Sequence, residues 1–516
     1  MTGQDFQNRT TGRHSTGNAR APARRSVWMR LTVLVLTSTA LAGCVVGLDY
    51  QKPFLAMPAN WSDQKKATPA KPPQLSRWWQ RLRDPELNAL VEEAVAGNLD
   101  VATAKAKIRE ARANYRETAG TLLPSVDGSA SATRNKNSSS TSGGAASDPY
   151  SQYQAGFDAS WELDLFGANR RSVEAARYGL DASAEELRST LLTLVGDVAS
   201  NYAQARGYQA RIQLAQRAAA SQKETAALTR TMAQAGMSTA ADVAKAMGQA
   251  SSTEADVPAL QASYAQSVHR LSVLTGRAPA ALTERLKRSA PIPAPRLPIP
   301  TGIPADVLLS RPDVRMAERQ YAQYTARIGQ AEAARYPSVS LTGDIDTSAF
   351  KVGDLGKNST IGWSFGPTLS VPIFNAGQLK AAVEVAKAQR DQYFIAYRSS
   401  VLTALEEVEN AIVSLRQERI RNAKLASSAK SYGNAARLER SRYQSGETSL
   451  LDVLDAERSL YSAEDDLLQS RISIAADYIA LNKALGGGWD GAVDSAKPEI
   501  VDVKTGPRLA SKPMVQ

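Results

Sequence analysis

Two aspartates three residues apart follow a glycine break in the run Gly446-Glu-Thr-Ser-Leu-Leu-Asp452-Val-Leu-Asp455. On a helix such carboxylates share one face, and grouped carboxylates favour cations. A capping role competes for part of this set. Thr239-x-x-Asp242 and Ser449-x-x-Asp452 both read as capping boxes, with an acid at the third helical position. Capping alone accounts for Asp242 and Asp452, whereas Asp455 lies one turn deeper and gains nothing from it. Little other chemistry is available. The chain has one cysteine, Cys44, and two histidines, His14 and His269, far apart. That composition excludes a disulfide scaffold and a cysteine-based zinc site. It leaves no histidine triad or metal cluster. Gly486-Gly-Gly488 is a helix stop, not a phosphate loop, since no lysine or strand context surrounds it. No catalytic, cofactor or metal role is assigned, and the expectation is a protein that is not an enzyme.

The chain has 516 residues, of which 43% are hydrophobic and 22% charged. Mean hydropathy is −0.32, which excludes a bundle of transmembrane helices, and the longest apolar run, 31–42, is too short to span. Six arginines (Arg9, Arg13, Arg20, Arg24, Arg25, Arg30) against Asp5 place +5 of the net charge of +11 before residue 44. The remaining +6 is dispersed without a basic run, so no nucleic-acid partner is expected.

That basic start is an address label. Arg24, Arg25 and Arg30 precede a short apolar stretch and then Leu41-Ala-Gly-Cys44. A basic region, an apolar core and small residues before a cut describe a secretory signal. Met29 is an alternative start to Met1. Leu-Ala-Gly-Cys is similar to the lipobox of bacterial lipoproteins, which implies cleavage before Cys44 and lipidation of that residue. Val45 in place of aspartate favours the outer membrane by the rule for such lipoproteins.

The most informative pattern is a duplication. Gly236, Asp242, Val243, Glu254 and Gly276 each recur 210 residues later, as Gly446, Asp452, Val453, Glu464 and Gly486. Pro124-Ser-Val pairs with Pro337-Ser-Val, and Leu165-Phe-Gly with Ile373-Phe-Asn. The organisation is then a signal (1–43), an N-terminal extension (44–83), a first repeat (84–276), a proline-rich linker region (277–310), a second repeat (311–486) and a tail (487–516). Each repeat runs helix, two strands, very long helix, return helix. The opening helices are predicted over 85–120 and 311–335. The strands, read from period-two alternation, are placed at 124–136, 150–165, 337–350 and 359–373. Val401, Leu405, Val408, Ile412 and Leu415 recur at spacings of four and three, as do Leu191, Val195, Val198, Tyr202 and Ala205. That 3.5-residue period calls for coiled-coil packing. A helix from 168 to about 232 would be on the order of 95 Å long, far longer than a globular domain needs.

Strands with one apolar and one polar side suit lipid on one side and water on the other. Four of them cannot close: an open sheet in a bilayer leaves edge groups unpaired. Other copies must supply strands, two chains giving eight and three giving twelve, and physics alone does not choose.

Here the sequence resembles the outer membrane factor family, the TolC-like outer membrane efflux proteins, in its NodT-type lipoprotein branch. The residues that carry this are Gly43-Cys44 to Tyr50-Gln-Lys-Pro53, Trp78-Trp79, Asp84-Pro-Glu-Leu87, Asn98-Leu-Asp100, 161–166, 371–374 and 446–456. Leu48 stands where that branch usually has proline. The resemblance implies a mainly α protein with a membrane β-barrel. It implies a homotrimer with a twelve-stranded outer-membrane barrel, four strands per chain, continuous with a long periplasmic α-helical barrel and an equatorial domain. It implies passive export of small molecules with an inner-membrane pump and a periplasmic adaptor. In a trimer, Asp455 from each chain would form a ring of three carboxylates. By the same resemblance, Asp452 and Asp455 occupy constricting acidic positions, and Leu451 and Arg458 match bottleneck positions. Tyr443 and Asp242 match a pair whose hydrogen bond holds the coils shut, and Thr448 stands where some members carry a reinforcing arginine. Trp161 and Trp363 read as lipid-interface anchors or plain packing. The rival readings are an exit duct for secreted proteins and a lipid-anchored coiled-coil scaffold without a pore.

Overall fold

The computed structural model describes residues 45–58, 61, 75–136, 148–295, 308–309, 311–498, 500–503 and 506–509. The signal segment, Cys44, the loop at 137–147 and residues 296–307 of the proline-rich linker region lie outside them. The first repeat comprises α1 (Pro85–Gly97), α2 (Leu99–Gly120), β1 (Ser125–Asn135), β2 (Tyr150–Leu163), α3 (Ala168–Gln234), α4 (Ala240–Leu274) and the single turn α5 (Thr283–Leu286). The second comprises α6 (Pro312–Ala333), β3 (Ser338–Ala349), β4 (Ile361–Ser370), α7 (Gln378–Gln444) and α8 (Leu450–Ala484), followed by a small hairpin, β5 (Ile500–Val503) and β6 (Gly506–Leu509). The duplication shows in the helix lengths: α3 and α7 both have 67 residues, and α4 and α8 both have 35. At 1.5 Å per residue the long helices reach about 100 Å.

One expected helix is two. The stretch 85–120 breaks at Asn98, whose side chain accepts from the backbone of Asp100 and Val101 and so caps α2. Its amide also donates to Leu274 O at 3.0 Å. A Cβ on the preceding Gly97 would lie 2.7 Å from Thr275 O, so the break is where α4 ends against it. Asp84 starts α1 as expected, accepting from the backbone of Glu86 and Leu87, with Pro85 in the first turn.

The four long strands form one antiparallel sheet in the order β1-β2-β3-β4. Its register sorts the side chains. Gly128, Phe157, Ile345 and Trp363 lie in one cross-strand row, and Val339 opposes Leu369 on the same face. The other face carries Asp127, Asp158, Asp344 and Ser364 in one row, with Gln154, Ser340, Thr342 and Thr368 nearby. Strand side chains alternate between faces, and here every apolar set falls on the same side. Phe157, Trp363, Phe365 and Leu369 are all exposed on it. Among the described residues β1 and β4 are both unpaired edges.

Below the sheet α3 packs on α2, α4, α6 and α8, while α7 packs on α6 and α8. The heptad positions Leu191, Val195, Val198, Tyr202, Val401, Val408 and Leu415 are buried in the core between these helices. The segments that precede the first repeat and follow the second meet at one level. Trp78 and Trp79 are buried, Trp78 Nε1 donates to Gly487 O at 3.1 Å, and Trp79 stacks on Trp489 at 6.1 Å. The glycine stop supplies that approach: Gly486 takes φ +78° to end α8.

Candidate functional site

The long helices reverse at Gly236 and Gly446, with φ of +77° and +76°, a conformation that favours glycine. Each reversal satisfies its carbonyls the same way: Met237 N donates to Met232 O, and Glu447 N to Arg442 O. Both return helices then open with a full capping box. Thr239 accepts from Asp242 N while the Asp242 carboxylate takes Thr239 N and its hydroxyl; Ser449 and Asp452 repeat the arrangement. Thr448 adds a second hydroxyl on Asp452 Oδ2 at 2.9 Å. Hydroxyl and backbone donors from the caps hold both carboxyls below the usual carboxylate range.

The helix that follows the second reversal presents the other candidates. Leu451 is 67% exposed, an apolar side chain at the tip. Asp455 is exposed and pairs with Arg458 one turn on. Leu451, Asp452, Asp455 and Arg458 thus share one short stretch of surface at the end of the tube.

The latch pairing is not the expected one. Tyr443 does not reach Asp242. Its hydroxyl donates to Thr229 Oγ1 on α3 at 3.1 Å, in a buried setting. The reason is local: the Asp242 carboxylate is turned toward its own cap, with Lys245 at 3.7 Å. Tyr443 packs in a small apolar cluster at the tip with Ala226, Ala246, Leu450 and Val453, separate from the main core.

A second link lies one turn away. The Arg440 guanidinium donates to Glu457, Ser221 and Thr225, and Thr225 Oγ1 donates to Glu457 Oε1 at 2.8 Å. It ties α7 and α8 to α3. The sequence carried a signal for it. Arg440 and Tyr443 are three apart on one helix, and Thr225 and Thr229 are four apart on another. Matched polar pairs at helical spacing read as facing rungs.

Above the tip, α2, α3 and α6 enclose a trough of about 820 Å³ whose lining includes Lys107, Glu110, Asn114, Gln323 and Arg327. It is a polar wall suited to water and hydrated solutes. Trp161 and Trp363 sit on the apolar face of the sheet. Trp161 Nε1 donates to Leu122 O at 3.1 Å, near the foot of the strands, whereas Trp363 is freely exposed. His269 is on the exposed surface of α4.

A sheet with one lipid-compatible and one water-compatible side, prolonged by helices of about 100 Å with a polar trough, is the wall of an outer-membrane channel. The chain belongs to the outer membrane efflux protein family, whose model matches residues 90–277 and 303–487. It is 35% identical to nodulation protein T of Rhizobium leguminosarum bv. trifolii over 88% of this chain and 96% of that protein. It is 34% identical to the solvent efflux pump outer membrane protein SrpC of Pseudomonas putida, over 87% and 96%. Among solved structures, the outer-membrane channel OprN superposes with a TM-score of 0.81 at 34% identity, over 86% of this chain and all of that one. The protein is an outer membrane efflux channel component.

Proposed function

We propose that three copies close a twelve-stranded barrel and that the assembly is a passive conduit. Small molecules would enter from an inner-membrane pump through a periplasmic adaptor. The observation that carries this is the sheet register. All apolar rows face one way, all polar rows the other, and both edges are unpaired. Unpaired edges in a bilayer cost several kcal/mol per exposed backbone group, so copies of the chain must join edge to edge. In that ring the tip stretch of each chain faces its symmetry mates: Leu451 forms an apolar constriction, and Asp455 with Arg458 forms a charged one that closes the resting channel. The Tyr443–Thr229 and Arg440–Glu457 links hold the coils in that state. Cys44, lipidated, would anchor the protein in the outer membrane.

The test is planar-bilayer recording of the purified protein. A closed resting current that rises in the Asp455→Ala, Tyr443→Phe double variant supports the gate; an unchanged closed current in that variant overturns it. An absence of any pore, together with a monomer in detergent, would favour a scaffold.

A further inference from the structure

The apolar side of the sheet is not uniformly bulky. Its rows run, from the helices outward, Val126-Ala159-Gly343-Phe365, then Gly128-Phe157-Ile345-Trp363, then Ala130-Ala155-Thr347-Ile361. The second row carries large side chains on three strands, whereas the third is small on β1 and β2. Between them lies a depression of about 470 Å³, lined by Gly128, Ala130, Ala155, Phe157, Ile345 and Ile361 among others. It sits in the half of the sheet away from the helices. β1 starts at Ser125 just after α2, and β2 ends at Leu163 just before α3, so the opposite ends, Asn135 and Tyr150, point toward the outer leaflet.

The loop between β3 and β4 bends back over this same side. Gly356 N donates to Thr347 Oγ1 at 2.9 Å, and the Thr347 and Thr360 hydroxyls lie 3.0 Å apart. The polar side chain of the third row is thereby satisfied by the loop instead of facing lipid bare. On the loop, Phe350 and Val352 are exposed on either side of Lys351. Apolar residues flanking a lysine suit the depth where acyl chains meet head groups. Lys357 Nζ lies 2.5 Å from Asp354 Oδ1. The ammonium of Lys357, with a smaller contribution from Lys351, holds the Asp354 carboxyl below the usual carboxylate range. Two cations thus share one carboxylate, and the rim of the depression keeps a net positive charge.

Within a bilayer the hydrophobic effect gives an acyl chain no reason to leave its neighbours for a slot. The gain is packing, because an unfilled slot forfeits dispersion contacts on one side. Any straight chain supplies that, so the rim must choose the lipid, and paired lysines choose phosphate. Edge-to-edge closure of the sheet adds a strand beside β1 in its own plane and leaves the slot open to lipid.

We propose that the slot and its lysine rim together seat a phosphorylated glycolipid of the outer leaflet, with one acyl chain against Ala130 and Ala155 and a phosphate on Lys351 and Lys357. This rests on the reading of the sheet as a barrel wall.

The test uses the full chain, extracted from outer membranes in mild detergent and washed. Retained phosphate and 3-hydroxyacyl chains, the mark of such glycolipids, are measured against protein. Ala130→Leu with Ala155→Leu fills the slot and stays apolar. Lys351→Ser with Lys357→Ser discharges the rim. Val126→Ala, on the same side near the helices, is the control. The proposal predicts one glycolipid per chain in wild type and control, and a loss of at least about fivefold in each double variant, with heat-resistant oligomer unchanged. The rim variant lies outside the strands, so it decides the matter if the slot variant fails to assemble. Equal glycolipid in all four proteins, or none in wild type, would overturn the seat. Retained phosphate without 3-hydroxyacyl chains would mean a phospholipid and overturn the glycolipid assignment. A wild type without heat-resistant oligomer would overturn the barrel reading and the seat with it, and the gel reports that separately from the lipid count.

Discussion

Replacing Tyr443 with phenylalanine isolates one bond of the proposed latch. The ring stays in the tip cluster with Ala226, Ala246, Leu450 and Val453, so packing is retained and only the hydroxyl is lost. That hydroxyl makes one buried hydrogen bond, to Thr229 Oγ1. Thr229 keeps a use for its own hydrogen, which it donates to Thr225 O at 2.8 Å, so no buried donor is orphaned. The loss is then that of an ordinary neutral bond, about 1 kcal/mol. Three copies in the proposed trimer give about 3 kcal/mol. If opening parts α7 from α3, the closed state alone loses this, and the ratio of open to closed rises by a factor on the order of 100. Open probability in single-channel records measures that ratio directly. A change of less than about twofold would refute the reasoning, since the bond would then survive opening or contribute nothing to closure.

Four further outcomes follow from the geometry. Glu457→Gln weakens a charge-assisted link and leaves Arg440 with only the more distant Glu224 as an anion, at 4.0 Å, so it should open the channel more than Tyr443→Phe does in the same records. Phe365→Arg places a charge on the lipid face midway along β4 and should cost about 2–4 kcal/mol of insertion, read as loss of heat-resistant oligomer from outer membranes. Asp84→Ala removes the cap of α1 and the acceptor of the Tyr202 hydroxyl, at 2.7 Å; the melting transition should fall by the equivalent of about 2–4 kcal/mol. The caps Asp242 and Asp452 have carboxyls held below their ordinary value. Their contribution is therefore present above the ordinary aspartate pKa of about 4 and lost as pH falls through the lower, folded values. Protection factors for hydrogen exchange at 446–456 should fall on acidification below about pH 4 in the wild type, and Asp452→Asn should flatten that dependence.

Much of the wall was legible because it is periodic. The 210-residue offset between Gly236 and Gly446 marks two equal hairpins, and equal helices are found there. Alternation placed the strands within a few residues of their ends, since a one-residue slip would turn Trp363 and Phe365 to the water side. Local chemistry was legible too, in the caps at Thr239 and Ser449. What could not be read were contacts set by how helices align side by side. Tyr443 meets Thr229 because α7 and α3 pack at one particular stagger, and neither helix encodes that stagger alone. The break at Asn98 did carry a local signal, since Gly97-Asn98 is a helix-stop pair, but it is reinforced from outside by the end of α4, which no local pattern shows. The slot on the sheet was invisible for the same reason: Ala130, Ala155 and Thr347 form a row only once the strands are in register.

The central claim is that one copy cannot seal its own sheet. Electron microscopy of the full, membrane-extracted protein in lipid nanodiscs tests it most directly. The account predicts a threefold tube with twelve strands in the disc and a helical barrel of about 100 Å beyond it. Single copies carrying an open four-stranded sheet, or a sheet folded away from lipid, would contradict it.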